Sequence, residues 1–250
     1  MIRAFIMLGF WAICLPFTAI FCFPWTFISG DIRLLYRVGM WAAITGPRLA
    51  GVRVRTVGLE KLDPQRTYIF MSNHASNLDP PITLPLIPRR TSVMARHSLF
   101  KYPLLGRAMR MGDLVPVDRG DRQAGISAVR GAANVIRKGI NMTIYIEGSR
   151  SFDGKLLRFK KGPFYLAQEC QVPVVPVTIK GTHYAMPKGR LAIKPGLVEV
   201  IFHDPIEPKD FGSRESLMAK VREAINSGLE PEYQEPASDQ KLMNTKESVS

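Results

Sequence analysis

The chain has 250 residues, 46% of them apolar, with a net charge of +13 and a pI near 9.9. That length suits one good-sized domain with a small appendage, and the excess of cations favours partners that carry phosphate, such as anionic lipid, nucleotide or nucleic acid. The 3 cysteines, Cys14, Cys22 and Cys170, form no CxxC pair, which argues against a disulfide framework or a zinc site and fits a reducing compartment.

No charged residue occurs from Ala4 to Ile28. A helix of about 20 residues crosses the hydrocarbon core, so this run is long enough to do so. Pro16 and Pro24 interrupt it and predict a kink or a break. A second stretch, with Arg33 and Arg37 interleaved among Leu34, Leu35, Val38, Met40, Trp41, Ala42 and Ile44, reads as amphipathic and interfacial. A cleaved signal peptide fits poorly, because the run is too long and no A-x-A site follows. One spanning helix and a broken hairpin dipping into one leaflet both fit. Arg33, Arg37, Arg48, Arg53 and Arg55 follow the run, against Arg3 before it. That bias predicts attachment to the cytoplasmic (inner) membrane, with the folded domain facing the cytoplasm. Residues 1–48 form this membrane-associated helical segment.

Strands and helices then alternate. Val52–Val57 alternates as a short strand, and 67–71 is an apolar run that ends at Ser72-Asn73-His74. Segments 91–95 and 114–117 are further strands. Ile126, Val129, Ala133 and Ile136 have helical spacing over 122–138, with Gly139 as the stop. Segment 142–146 is β-rich and ends at Glu147-Gly148. A helix over 163–171 and a buried strand over 174–179 follow. Segments 191–194 and 197–202 flank Pro195-Gly196, a hairpin signal. Leu217, Val221, Ala224 and Ile225 mark a last amphipathic helix over 215–226. Residues 230–250 are polar and read as a disordered tail. The fold class is therefore α/β over 49–229: a mixed, largely parallel sheet flanked by helices. Chemistry in such folds sits at the carboxyl ends of strands.

Four clusters carry candidate chemistry, three of them at such ends. Asn73-His74-Ala75-Ser76-Asn77-Leu78-Asp79 sets a carboxylate five residues after a histidine, close enough to fix its tautomer and leave the other ring nitrogen as a base. Asp79 could equally cap a helix before Pro80-Pro81. In Glu147-Gly148-Ser149-Arg150-Ser151, Gly148 allows a close backbone approach, Arg150 can fork onto a phosphate, and Glu147 can accept from a hydroxyl or hold Arg150. Arg158, Lys160 and Lys161 supply three charges before a helix. Asp118-Arg119 ends a strand and offers a second phosphate contact.

An NH-x4-D box, a strand ending in Asp-Arg, an EGSRS box and a Val-Pro-Val-Val-Pro-Val strand, in that order over roughly residues 65–182, resemble the blocks of the glycerolipid acyltransferase family. Its 1-acylglycerol-3-phosphate acyltransferases are the most similar members. The resemblance implies that His74 is the general base and Asp79 its orienting carboxylate. It implies that Arg119, Glu147, Gly148 and Arg150, with Lys160 and Lys161, bind the acceptor. Pro176 would lie toward the acyl donor. Ser149 stands where the family commonly has Thr, which keeps the hydroxyl. Arg96-His97-Ser98 keeps a cation but lacks the acid of the corresponding family segment.

The implied reaction passes a fatty acyl chain from a thioester, acyl-CoA or acyl-ACP, to the sn-2 hydroxyl of a lysophosphatidate acceptor, giving phosphatidic acid. The implied partners are membrane lipid, an acyl thioester donor and the acceptor, with acyl carrier protein as a further candidate. The donor is a co-substrate, so no cofactor is implied. No G-x-S-x-G elbow and no H-E-x-x-H motif occurs, so neither an acyl-enzyme nor a metal is called for. Backbone N–H groups near the box would stabilise the oxyanion. Rival readings are another acceptor (glycerol 3-phosphate or a larger lysophospholipid), a hydrolase, or a basic membrane-tethered protein that binds anionic lipid. Nucleic acid is not an expected partner, because the basic stretches lack interleaved aromatics.

Overall fold

In the computed structural model, residues 1–118 and 122–235 are described. The apolar N-terminal run forms α1 (Ile2–Phe17) and α2 (Phe23–Ser29), joined by a π-helical turn at Thr18–Cys22. The π turn lies just before Pro24, which has no N–H for the carbonyl of Ile20, so this proline distorts the run without ending it. Gly30, with φ of +69°, ends α2. The Asp31 carboxylate then accepts from the Arg33 amide at 2.8 Å, where α3 (Arg33–Leu49) turns back.

The two legs pack closely. A Cβ on Gly46 would lie 2.5 Å from Trp11 Nε1, and that indole donates to Ala42 O at 2.9 Å. Both ends of the α1–α2 rod touch the domain. Arg3 Nη1 donates to Ala50 O at 3.1 Å, and the Arg107 guanidinium lies 4.6 Å above the Phe27 ring. A rod of 28 residues is about 42 Å long, so it lies along the domain rather than leaving it. Its outer side, including Phe5, Ile13, Phe17, Ile20, Trp25 and Ile28, is exposed. Apolar surface of that extent belongs in lipid, and the protein is membrane-associated.

The sheet has the order β1-β7-β6-β2-β5-β3-β4. Its strands are β1 (Val52–Val57), β2 (Ile69–Ser72), β3 (Thr91–Arg96), β4 (Val115–Val117), β5 (Asn141–Tyr145), β6 (Val174–Lys180) and β7 (Gly196–Phe202). Only the β6–β7 pairing is antiparallel. The sheet is thus mixed and largely parallel, as the sequence predicts. The central strands β2 and β6 are buried on both faces, which is why they read as continuous apolar runs. The helices between strands are α4 (Asp79–Thr83), α5 (Pro103–Met111), α6 (Arg122–Arg137), α7 (Gly162–Cys170) and α8 (Thr182–Ala185), and α9 (Arg214–Ser227) follows the last strand. One core packs Ile69, Met71, Ile144 and Phe164 with α6, α7 and α9. The other packs Phe70, Leu78, Ile82 and Val177 with Ala4 and Met7 of α1. The hairpin is therefore part of the folded body.

Two sequence expectations differ from the fold. Residues 191–194 form no strand, and β7 pairs with β1 and β6 instead of a hairpin partner. The Lys194 amide donates to Ala185 O in α8, so that segment is tied to a helix end. The start of the polar tail is ordered: Leu229 is buried, Pro231–Tyr233 forms a 3-10 turn, and Glu235 pairs with Arg222. Arg222 is nearly inaccessible, and a buried cation of that kind needs a carboxylate. Residues 236–250 lie outside the described residues.

Gly46→Leu is expected to pry the hairpin apart, costing roughly 1–3 kcal/mol by overpacking. Gly39→Leu, on the same helix with nothing within 4 Å of its Cβ position, is the control. Thermal unfolding in detergent should show a lowered midpoint for the first variant only; equal midpoints would contradict the close packing.

Candidate active site

Strand β2 ends in the core and delivers Asn73 and His74 to the carboxyl edge of the sheet. The Asn73 side chain spans to β6, donating to Ile179 O at 2.9 Å and accepting from Ile179 N at 2.8 Å. The box then folds around one oxygen. Asp79 Oδ2 accepts from His74 Nδ1 at 2.7 Å and from the amides of Ala75 and Ser76, both at 2.8 Å. Ser76 Oγ donates to Met186 O at 2.7 Å and accepts from Leu78 N, closing the loop. Asp79 opens α4, where Pro80 and Pro81 offer no N–H, so the amides that meet its carboxylate come from the preceding loop. It is fully buried, whereas His74 keeps 9% of its surface. With Nδ1 committed to the carboxylate, Nε2 is the basic nitrogen of the ring. Tyr145 of β5 packs on the imidazole, with ring centroids 4.4 Å apart.

Glu147 stands directly beside this loop, at the end of β5. Its Oε1 accepts from the His74 amide at 2.7 Å, and its Oε2 accepts from the Leu157 amide at 2.8 Å. Burial pushes its carboxyl up to about 7, against the lowering effect of those two amides. Neither oxygen grips Arg150 or faces outward, so Glu147 holds two backbone segments in place rather than meeting an acceptor hydroxyl. The Ser151 amide adds a third link, donating to His74 O at 2.8 Å.

The remaining expected residues divide. Gly148 has φ of +70°, and its Cβ position lies 3.1 Å from the Lys160 side chain, so Lys160 and the Gly148 turn are in contact. Arg150 is half-exposed, and its carbonyl accepts from Lys188 Nζ at 2.7 Å. Lys161, at the cap of α7, acts electrostatically on Glu215 of α9 and stands toward that helix. Arg119 lies outside the described residues. Within the box, the amide of His74 is engaged by Glu147 and those of Ala75, Ser76, Leu78 and Asp79 by the loop itself.

Sequence reading missed Lys188, whose ammonium also lies 3.6 Å above the exposed Phe152 ring, and the Arg222–Glu235 pair. Arg222 Nη1 donates to Leu157 O at 3.1 Å. A chain of contacts thus runs from Glu235 through Arg222, Leu157 and Glu147 to His74. No motif marks these residues, since they meet only through tertiary packing. Among the described residues, no group of three or more His, Cys, Asp or Glu is placed to hold a metal ion.

A pH test follows from Glu147. Its folded carboxyl keeps a proton up to about pH 7, whereas an unfolded one releases it near 4.5. Unfolding between these values releases a proton, so this group makes the fold less stable as pH rises through that window, by up to about 3 kcal/mol. Glu147→Gln is expected to flatten the slope in denaturant unfolding between pH 5 and pH 8. Identical slopes would assign the pH dependence elsewhere.

The model of the Acyltransferase family matches residues 53–180. The coconut (Cocos nucifera) 1-acyl-sn-glycerol-3-phosphate acyltransferase is 31% identical over 174 residues, covering 69% of this chain and 56% of the relative. A chloroplastic 1-acyl-sn-glycerol-3-phosphate acyltransferase of Brassica napus is 36% identical over 176 residues, covering 68% and 50%. The chain thus spans about half the length of these curated relatives. The crystal structure of the 1-acyl-sn-glycerophosphate acyltransferase PlsC from Thermotoga maritima superposes with a TM-score of 0.74 at 30% identity, covering 89% of this chain and 92% of that one. A family match over half the sequence and a shared fold along almost the whole of it establish that this chain belongs to the Acyltransferase family.

Proposed function

We propose that the protein transfers a fatty acyl group from an acyl thioester to the free hydroxyl of 1-acylglycerol 3-phosphate, forming phosphatidic acid. The observation that carries this reading is the His74–Asp79 dyad: a buried carboxylate 2.7 Å from Nδ1, with the imidazole at the carboxyl edge of the sheet. The names of the relatives give the acceptor class.

His74 Nε2 takes the acceptor's hydroxyl proton as its oxygen attacks the thioester carbonyl. The new C–O bond forms and the C–S bond breaks. The proton passes from the imidazolium to the departing thiolate, so the products are an ester and a free thiol. Asp79 stabilises the imidazolium and holds its tautomer, as the acid of a serine-protease triad does. The substrate hydroxyl takes the place of an enzyme serine. Arg150, Lys160 and Arg119 supply charge for the phosphate, and Gly148 keeps the backbone low beside it. Phosphate binding places the hydroxyl, and positioning of that kind accounts for several kcal/mol of a barrier. The α1–α3 hairpin lies in one leaflet on the cytoplasmic side. This reading draws on the exposed apolar rod whose two ends both touch the domain, and on the arginines that follow it.

With oleoyl thioester and 1-acylglycerol 3-phosphate in detergent, the wild type is expected to yield diacylated phosphatidate by mass. His74→Ala should lose at least about 10²-fold in turnover while remaining membrane-bound in cells. Substantial turnover by purified His74→Ala would sink the mechanism. Arg150→Ala should raise the acceptor KM roughly tenfold or more, the scale of one charge-assisted contact. An unchanged KM would remove Arg150 from the phosphate site.

A further inference from the structure

The stretch between Asp79 and Asp113 contains no acidic residue and six cations: Arg89, Arg90, Arg96, Lys101, Arg107 and Arg110. Two of them are committed inward. Arg89 donates to Gln65 O and Gly139 O, and Arg90 pairs with Asp113. Arg96 at the end of β3, Lys101 in the 3-10 turn His97–Lys101, and Arg107 and Arg110 on α5 are exposed, Arg110 with one nitrogen donating to Phe100 O at 3.3 Å. Apolar side chains stand among them: Tyr102 is 62% exposed, Leu105 45% and Leu99 38%. A soluble surface seldom mixes cations with outward aromatic and aliphatic groups and excludes acids. That mixture is what an interface with anionic headgroups selects.

The position of this surface names its occupant. Arg107 stacks on Phe27 of α2, near the far end of the apolar rod. The basic face is therefore continuous with the lipid-facing side of the hairpin. From this continuity and charge complementarity, we propose that the 97–110 face is a second membrane-docking surface, which binds the anionic headgroups of the leaflet that holds the hairpin. Tyr102 and Leu105 enter the headgroup layer, and Lys101, Arg107 and Arg110 meet the phosphates. Docking there fixes the tilt of the domain about the hairpin and so the height of its catalytic edge above the leaflet. An acidic carrier protein would also answer a basic face, but it would not require continuity with a lipid-embedded helix.

The test places an environment-sensitive fluorophore at position 105 (Leu105→Cys, with Cys14, Cys22 and Cys170 replaced by alanine) in the full chain reconstituted in vesicles. Headgroup-proximal spin-labelled lipid is the quencher. Quenching is expected in vesicles containing phosphatidylglycerol, and much less in pure phosphatidylcholine or at high salt. Lys101→Gln with Arg107→Gln should lower the docked-to-undocked ratio roughly 25-fold, about fivefold per cation. Lys209→Gln, an exposed cation elsewhere, should leave it unchanged. Where the pair fails to fold, each single variant should show about a fivefold loss. Turnover in detergent, which offers no leaflet, should match wild type. Equal quenching in neutral and anionic vesicles, or no response to the substitutions, would overturn the proposal. So would a label that lipid leaves unquenched and acyl carrier protein shields, since the face would then belong to a protein.

Discussion

Three donors converge on one oxygen, Asp79 Oδ2: the His74 ring and the amides of Ala75 and Ser76. The geometry of this edge of the sheet depends on that convergence. A fully buried carboxylate is costly unless its charge is met, and here the imidazole and two loop amides meet it at Oδ2. The same bonds fold the loop tightly enough to bring a histidine five residues away into contact. Removing the carboxylate would release the loop as well as the imidazole. The His74–Asp79 pair and the local fold are therefore one construction, and Pro80-Pro81 behind it belongs to the helix that presents the acid.

Around this centre the protein uses backbone bonds to hold position. Glu147 joins the histidine loop to the Leu157 segment, and Arg222 ties that segment to Glu235 beyond the last helix. Asn73 fixes the other flank to β6. A site held from both sides by buried hydrogen bonds keeps its geometry without relying on surface loops. The half-exposed Arg150 and exposed Lys160 sit outside this framework, where an anionic ligand can reach them. Rigid support and accessible charge are thus assigned to different residues.

Much of this was legible in the sequence, for physical reasons. The central strands appear as apolar runs because both faces of a parallel sheet are covered, and the chemical residues stand where such strands end. The His-Asp spacing is local, so one loop reveals it. What was hidden is long-range. Glu147 reads as a ligand-binding acid, yet its partners are amides of residues 74 and 157, which no local pattern discloses. Pro195-Gly196 signals a hairpin, but β7 finds its partners in strands 1 and 6. The polar stretch after Leu229 reads as disordered because the contacts that hold its start, with Arg222, Asn226 and His183, lie on other elements. The apolar N-terminus declares its affinity for lipid, while its course along the domain depends on contacts at Ala50 and Arg107.

If the acceptor hydroxyl is the nucleophile that His74 activates, no covalent acyl-enzyme forms. The measurement that bears on this most directly is the intact-protein mass after incubation with oleoyl thioester, first without acceptor and then with 1-acylglycerol 3-phosphate. The account predicts an unmodified protein in both samples, and phosphatidate only when both substrates are present. A protein heavier by one acyl group without acceptor, which loses that group as phosphatidate appears, would contradict direct transfer and give His74 a different part to play.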